Sequence, residues 1–123
     1  MHPSKKSHIA VIGVSINPKK YGNRIFSDLL KAGYLVEGVH SKGGQVLSKQ
    51  LYKSLSDVEP IPEIVIIVVP PQVGLTILEE CAELGITNVW MQPGAESPEA
   101  VLLANQLGIT LTTACFMIHE GIW

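Results

Sequence analysis

The sequence predicts a single α/β domain of the Rossmann-like, doubly wound type, with a parallel five-stranded sheet between two layers of helices. This prediction depends on three joints, each of which has a helix end, a glycine and the apolar start of a strand: Lys31-Ala32-Gly33-Tyr34, Glu83-Leu84-Gly85-Ile86 and Gln106-Leu107-Gly108-Ile109. Glycine after a helix readily adopts the left-handed conformation that ends it. Repeated joints of this kind indicate βα units, which build a parallel three-layer αβα fold.

The bulk composition fits one globular domain and excludes several classes of partner. A chain of 123 residues can bury most of its apolar surface without disulfides or metals. Hydrophobic residues make up 46% of the chain and charged residues 16%, which favours a packed core over disorder. The net charge is −2, and no apolar run approaches the roughly 20 residues of a membrane span. We therefore expect neither nucleic acid nor a membrane as a partner.

The first residues and the cysteines bear on the cellular compartment. Met1 to Lys6 include two lysines but are not followed by an apolar region with a cleavage site, so no secretory signal is expected. Cys81 and Cys115 fall in different predicted elements and form no CxxC motif, which predicts reduced thiols in a cytoplasmic protein. The four histidines show no clustered spacing, so no metal site is expected.

Apolar runs between turn residues predict five strands, at about His8–Val14, Leu35–His40, Ile64–Val69, Asn88–Met91 and Thr110–Thr113. The third run does not alternate between apolar and polar residues, as expected for a strand that is covered on both faces. Numbered along the chain, the strands are predicted to lie in the order 3-2-1-4-5. The ligand crevice is then expected at the carboxyl ends of strands one and four, where this order reverses.

Helical periodicity predicts three helices: about Gly22–Ala32, about Pro71–Leu84, and a third that starts at Ser97-Pro98-Glu99 and ends near Leu107. The third start combines a capping serine, a proline at the first helical position and an acidic residue in the first turn. A longer segment, Ser41 to Glu63, joins the second and third strands, and a short helix is expected around Ser54–Val58. The whole chain, residues 1–123, is therefore interpreted as one domain.

The first strand stops at Gly13 and leads through a loop into the first helix, a corner that holds phosphate groups in doubly wound sheets. The turn lets a phosphate approach the backbone, and the helix N-terminus offers free N–H groups. The GxGxxG fingerprint is absent, because the next glycine is Gly22. Two interpretations stay open: the loop presents Ser15, Asn17 and backbone N–H groups to a diphosphate, or it is an ordinary connection with solvated lysines.

The end of the second strand favours a phosphorylated ribose. A nicotinamide-dinucleotide site usually offers a carboxylate there, but Glu37 lies too early and Lys42 follows the strand end. A cation beside Gly43-Gly44 suits the 3′-phosphate of coenzyme A or the 2′-phosphate of NADP. The alternative is a solvated lysine in a glycine-rich turn.

Two further strand ends are expected to face the crevice. Val69-Pro70-Pro71 closes the third strand and forms a rigid wall that could flank an adenine or a pantetheine, although a proline at the start of a helix needs no ligand. Gln92-Pro93-Gly94 follows the fourth strand, where the Gln92 amide and the Gly94 backbone would point into the crevice.

Motifs in a specific order and spacing cover nearly the whole chain: Val11-Ile12-Gly13-Val14-Ser15 with Asn17-Pro18, Leu30-Lys31-Ala32-Gly33-Tyr34-Leu35-Val36, Gly44-Gln45-Val46-Leu47 with Leu51-Tyr52-Lys53-Ser54-Leu55, Val69-Pro70-Pro71, Val89-Trp90-Met91-Gln92-Pro93-Gly94 and Cys115-Phe116-Met117-Ile118-His119-Glu120. Together they resemble the CoA-binding domain family, small Rossmann-like domains that also form the N-terminus of the succinyl-CoA synthetase α subunit.

This resemblance implies binding of coenzyme A or an acyl-CoA across the switch point of the sheet. The residues that it carries over are Gly13, Val14 and Ser15 at the diphosphate, Asn23 and Arg24 at the start of the first helix, Lys42 at the ribose phosphate, and Val69, Pro70 and Pro71 on the adenine side. The loop Lys19-Lys20-Tyr21-Gly22 departs from the usual pattern. The phosphohistidine domain of the synthetase is missing, so ligase chemistry is not implied.

Cys115, His119 and Glu120 are the candidates for a nucleophile, a base and an orienting group. In a helix, Cys115 and His119 would share a face, but no Asn or Asp is placed to orient the imidazole. A packed tail is therefore favoured over catalysis, and a mixed disulfide between Cys115 and the thiol of coenzyme A is a third interpretation. We expect a non-catalytic CoA-binding module. An NADP-dependent or redox-sensing nucleotide protein and a ligand-free interaction domain are the alternatives, and a homodimer or protein partner is left open.

Overall fold

The computed structural model describes residues 6–123. The first five residues, on which part of the prediction about a secretory signal depends, lie outside the described residues. In chain order the elements are β1 (His8–Ile12), α1 (Tyr21–Lys31), β2 (Leu35–Val39), β3 (Gln45–Val46), β4 (Lys49–Gln50), β5 (Ile64–Ile67), α2 (Pro71–Leu84), β6 (Asn88–Met91), α3 (Pro98–Leu107), β7 (Thr110–Thr113) and α4 (Phe116–His119), with a 3₁₀ turn at Leu55–Asp57 between β4 and β5.

The main sheet has the order β2-β1-β5-β6-β7, and every neighbouring pair is parallel. The predicted class of sheet is confirmed. In the numbering of the five predicted strands, however, this order is 2-1-3-4-5, so the predicted order 3-2-1-4-5 is wrong. The switch point lies between β1 and β5, the first and third predicted strands, rather than between the first and the fourth.

The burial of β5 explains this order. All four of its residues are buried, and a strand with a continuous apolar run needs cover on both faces and a neighbour on each side. The predicted order would have placed it at an edge. The edges are instead taken by β2 and β7, which both include exposed residues.

Helices cover both faces of the sheet and complete the three predicted layers. On one face, α1 and α4 bury Phe26, Leu29 and Phe116 against the strands. On the other face, α2 and α3 bury Leu78 and Ala104 in a second core cluster. The glycines of all three predicted helix-to-strand joints have positive φ, as the joints require.

Most predicted boundaries agree with the structure, and the exceptions lie where the chain turns. The second predicted helix and the last two predicted strands have the observed bounds. The first three predicted strands extend past the observed ends at Ile12, Val39 and Ile67. The hairpin β3–β4 was not predicted, because it reverses at Leu47 and Ser48, which adopt positive φ without a glycine or asparagine to signal the turn.

The N-cap of α3 provides a local test of how this fold is stabilised. The side chain of Ser97 accepts a hydrogen bond of 3.1 Å from the N–H of Ala100. We expect Ser97→Ala to lower the free energy of unfolding by about 1 kcal/mol, because it leaves an N–H of the first turn without its acceptor. Urea denaturation measures this loss. Ser97→Asp, which keeps a capping oxygen, should stay close to the wild-type stability, and an equal loss in both variants would contradict the capping argument.

Candidate functional site

A cavity of about 450 Å³ opens at the carboxyl ends of β1, β2 and β5. Its position at the β1–β5 switch point is the place where doubly wound sheets bind ligands. The residues that line it come from the three strand ends, the 3₁₀ turn and α2: Ile12, Gly13, Ser15, Val39, His40, Ser41, Lys53, Ser54, Leu55, Val68, Val69, Pro70, Val73, Ile77 and Glu80. Aliphatic side chains predominate, and the polar groups are imidazole, ammonium and hydroxyl donors together with the carboxylate of Glu80. This composition is typical of small-molecule sites.

Gly13 shapes the corner between β1 and α1. Its φ of +104° is strained for any other residue, and a Cβ there would lie 2.9 Å from Cγ1 of Val69. The N–H groups of Gly13 and Val14 both donate to the carbonyl oxygen of Val39, at 3.0 and 3.2 Å. Gly13 therefore allows close packing beside the cavity, while its N–H group is engaged within the fold.

Gly22 brings the start of α1 against this corner. A Cβ at Gly22 would lie only 2.2 Å from the carbonyl oxygen of Gly13. The first turn of α1 has no side-chain cap and no acidic residue, so the partial positive charge of this helix end is not neutralised by its own side chains. In the sequence, Gly22 does not complete a GxGxxG fingerprint. In the structure, however, Gly22 has the role of that motif's last glycine, which permits close helix–strand packing.

The loop before α1 is held by its own polar side chains. The side chain of Ser15 accepts from the N–H of Asn17, and that of Asn17 accepts from the N–H of Lys19, each at 3.0 Å. The amide of Asn23, which is 6% exposed, donates to the carbonyl oxygen of Ser15 at 2.8 Å. Ser15 lines the cavity, whereas Asn17 and Asn23 fix the shape of the loop.

The segment after the hairpin runs beside the end of β2 and brings a cation to the cavity. The backbone N–H of His40 donates to the carbonyl oxygen of Tyr52, and the backbone N–H of Tyr52 donates to the carbonyl oxygen of Gly38, each at 2.9 Å. The next residue, Lys53, therefore lines the cavity. Sequence reasoning missed Lys53 because nothing in the spacing shows that residues 51–53 pair with β2. Lys42, the cation it selected, is exposed and lies outside the cavity wall.

His40 presents one ring nitrogen to a hydrogen bond within its own loop. Its Nδ1 accepts from the N–H of Lys42 at 3.0 Å, which requires that Nδ1 carry no proton. In the neutral ring the proton is then on Nε2, so His40 can act as a hydrogen-bond donor in the cavity wall.

The remaining predicted residues are divided between the cavity and its surroundings. Val69 and Pro70 line the cavity, and Pro71 is the first residue of α2. Val14 is fully buried. The guanidinium of Arg24 lies 4.7 Å from the centre of the Trp123 ring, and the N–H of Gly94 donates to the carboxylate of Glu96 at 2.9 Å.

Gln92 is fully buried and joins three segments of the chain. Its amide nitrogen donates to the hydroxyl of Tyr21 at 2.9 Å and to the sulfur of Cys115 at 3.4 Å. Its amide oxygen accepts from the N–H of Phe116 at 2.8 Å. The prediction that this amide points into the crevice stays untested, but its polar atoms all have partners within the protein.

The predicted nucleophile and base have different partners. The ring of His119 lies against Trp90, and its Nδ1 is 3.0 Å from the carboxylate of Glu120. The sulfur of Cys115 is instead contacted by Gln92 and Tyr21.

Within residues 6–123, no cluster of three or more His, Cys, Asp or Glu side chains could hold a metal ion. The described part of the chain also has no helix long and apolar enough to cross a membrane.

Comparisons with known proteins agree with this geometry. Residues 7–120 match the family model described as CoA binding domain. The α subunit of ADP-forming acetate–CoA ligase I from Pyrococcus furiosus is 33% identical over 87 residues, which are 66% of this chain and 19% of that protein. The α subunit of ligase II from the same organism is 37% identical over 82 residues, which are 66% of this chain and 18% of that protein. This chain therefore matches about a fifth of the length of these curated relatives.

Solved structures of similar size share the fold. A conserved hypothetical protein from P. furiosus superimposes with a TM-score of 0.87 at 35% identity, covering 92% of this chain and 98% of that chain. Because the family model matches nearly the whole described chain, and the cavity lies where such a fold binds its ligand, this protein belongs to the CoA binding domain family.

Proposed function

We propose that this chain binds coenzyme A or an acyl-CoA without catalysing a reaction. The observation that supports this most directly is the cavity at the carboxyl ends of β1, β2 and β5, in which an apolar floor meets the ammonium group of Lys53, the ring of His40 and hydroxyl groups, with the carboxylate of Glu80 at the α2 side. Such a cavity suits a ligand that has both a flat apolar base and phosphate groups. Coenzyme A, after which the family is named, has both an adenine base and phosphate groups.

The lining residues suggest how the nucleotide would lie. The apolar wall of Leu55, Val69 and Pro70 fits the adenine. His40 and Lys53 are donors for the ribose phosphate in the cavity wall, whereas Lys42, the predicted cation, lies outside that wall. The diphosphate would lie at Ser15 and the start of α1, where Arg24 and the N-terminal turn favour negative charge.

Towards the other end of the ligand, the predicted residues Gln92 and Gly94 follow β6 on the same edge of the sheet. The pantetheine arm would extend in this direction. Val14, Asn17, Asn23 and Pro71 support the loop and the cavity wall in this proposal rather than contact the ligand.

Glu37 argues against the alternative of a nicotinamide dinucleotide without a ribose phosphate. Its carboxylate forms an ion pair of 2.9 Å with Lys49 of the hairpin, in the middle of β2, and it is not part of the cavity wall. The end of β2 therefore has no carboxylate to accept from a ribose 2′-hydroxyl.

Ligase activity is not part of the proposal, because the similarity to acetate–CoA ligase covers only about a fifth of that α subunit. The described residues bring together neither a catalytic triad nor a metal cluster. The proposed partner is the nucleotide ligand, with no nucleic acid and no membrane. We place the binding in the cytoplasm, because Cys81 and Cys115 are both free thiols.

The test is the melting temperature with coenzyme A, dephospho-coenzyme A, NADP, NAD and ATP. Coenzyme A at 100 times its Kd should stabilise the fold by about 2.7 kcal/mol, which raises the melting temperature by several degrees. No shift with any nucleotide would instead favour the ligand-free interaction domain, and a shift with NADP alone would favour the redox alternative. Gly13→Leu is a poor test variant, because strain and the contact with Val69 would also weaken the fold.

Lys53→Ala and Lys42→Ala form a matched pair of variants. We expect Lys53→Ala to weaken binding of coenzyme A about tenfold, because a charge-assisted hydrogen bond is worth roughly 1.5–3 kcal/mol. Lys42→Ala should have a smaller effect, since Lys42 lies outside the cavity wall. Titration calorimetry measures both, with dephospho-coenzyme A as the ligand on which neither change should act. Equal losses for both ligands would contradict a contact between Lys53 and the ribose phosphate.

A further inference from the structure

Three segments that are distant along the chain converge on the sulfur of Cys115. Tyr21 begins α1, Gln92 follows β6 and Cys115 follows β7. The sulfur lies 3.4 Å from the amide nitrogen of Gln92 and 3.8 Å from the hydroxyl of Tyr21. The backbone N–H groups of Met117 and Ile118 are also directed at it. We refer to Tyr21, Gln92 and Cys115 as the thiol cluster.

The donors of the thiol cluster suit a thiolate better than a thiol. A buried amide needs an acceptor, and the thiol form of cysteine is a weak one. A thiolate accepts several hydrogen bonds at once and makes each of them stronger. Because Gln92 is fully buried and held by Phe116 through its oxygen, its N–H group cannot turn away from the sulfur without losing that bond.

The pKa of each cysteine follows from its surroundings. Burial by itself raises the pKa of Cys115, but the hydrogen bonds from Ile118, Gln92, Tyr21 and Met117 outweigh it and hold the pKa below the ordinary value. Burial raises the pKa of Cys81 to about 12, and Glu80 adds to this effect. Near neutral pH, Cys115 is therefore far more ionised than Cys81, and the thiolate is the reactive form.

The thiol cluster and the cavity lie at one edge of the sheet. Gly13 follows β1 beside the cavity, while Gln92 and Cys115 follow β6 and β7. Carboxyl ends of parallel strands share an edge, so a ligand anchored at β1 and β5 lies at the same edge of the sheet as the ends of β6 and β7. In coenzyme A the end far from the nucleotide is itself a thiol.

We propose that Cys115 forms a reversible mixed disulfide with coenzyme A bound in the cavity, an inference that rests on the proposed function. The Cys115 thiol first loses its proton to solvent. Its thiolate then attacks one sulfur of coenzyme A disulfide, so that a bond between Cys115 and that sulfur forms while the disulfide bond of the reagent breaks. The second coenzyme A leaves as a thiolate, which takes a proton from water. Coenzyme A disulfide is the oxidant, and exchange with another thiol reverses the step.

The test is reaction of the reduced protein, residues 1–123, with coenzyme A disulfide, followed by intact mass measurement and peptide mapping. We expect one coenzyme A adduct, on Cys115, which reductant removes and which Cys115→Ser does not form. Oxidised glutathione should react about tenfold more slowly, because it lacks the nucleotide that raises the effective concentration at the sulfur. Cys81 is the internal control and should stay unmodified.

Two variants separate the parts of the proposal. Tyr21→Phe removes one donor to the sulfur, so the pKa of Cys115 should rise and alkylation by iodoacetamide at neutral pH should slow about threefold. Lys53→Ala should slow the reaction with coenzyme A disulfide but not with oxidised glutathione. If the pH dependence of alkylation is the same in Tyr21→Phe as in the wild type, the thiol cluster does not lower the pKa of Cys115 and its proposed role is overturned.

The two proposals also fail in distinguishable ways. If coenzyme A raises the melting temperature under reducing conditions but neither disulfide modifies Cys115, the thiol proposal is overturned and the binding proposal stands. If both disulfides modify Cys115 at equal rates and coenzyme A gives no thermal shift, the binding proposal fails and the assignment of coenzyme A to this thiol fails with it.

Discussion

Gly22→Ala is expected to lower the free energy of unfolding by about 3 kcal/mol, the upper end of the usual range for overpacking. In an ordinary helical position this change would stabilise the protein, because alanine has the higher helix propensity. Here the added Cβ would lie 2.2 Å from the carbonyl oxygen of Gly13, which is backbone and cannot turn away. The start of α1 would have to move off the corner beside the cavity. Urea denaturation measures the loss.

Gly33→Ala is the control for Gly22→Ala. Gly33 has a φ of +88°, but nothing lies within 4 Å of its Cβ position, so only backbone strain of about 1 kcal/mol is expected. The difference between the two variants isolates the close approach of α1 to β1. Wild-type stability in Gly22→Ala would show that this helix is not held against Gly13.

Phe116→Ala should lower the free energy of unfolding by about 3–5 kcal/mol. The ring is fully buried, and its centre lies 5.1 Å from that of Trp90 and 6.3 Å from that of Tyr34, both in edge-on contacts. Deleting it leaves a cavity where α4 docks on the sheet. Thermal denaturation measures the loss, and the fluorescence of Trp90 should shift to longer wavelength as water reaches the ring.

Ile118→Ala, in the same short helix, is the matched control. Its side chain is 66% exposed, so the change should lie within about 0.5 kcal/mol of wild type. Phe116 also precedes the residues whose N–H groups point at the sulfur of Cys115, so loosening α4 should raise the pKa of that thiol. Equal stability losses in Phe116→Ala and Ile118→Ala would contradict the docking of α4 through Phe116.

Local sequence signals predicted the elements well because these elements depend on neighbouring residues. Pro71 starts α2 and Gly85 ends it, and both signals lie in the chain next to the helix that they limit. The order of the strands is a different kind of property. It depends on which strand needs cover on both sides, and the continuous burial of β5 decided it.

The amino-acid sequence by itself determined the class of fold, the three layers, and the sharp corner at Gly13 between β1 and α1. Apolar periodicity and turn residues act over a few positions, so they can be seen without the structure. Only the tertiary structure decided the strand order, the approach of Lys53 to the cavity through the pairing of Val39 with Tyr52, and the thiol cluster. Tyr21 and Gln92 are 71 residues apart, and Gln92 and Cys115 are 23 apart. Contacts at such separations result from packing of the whole chain, and no local pattern indicates them.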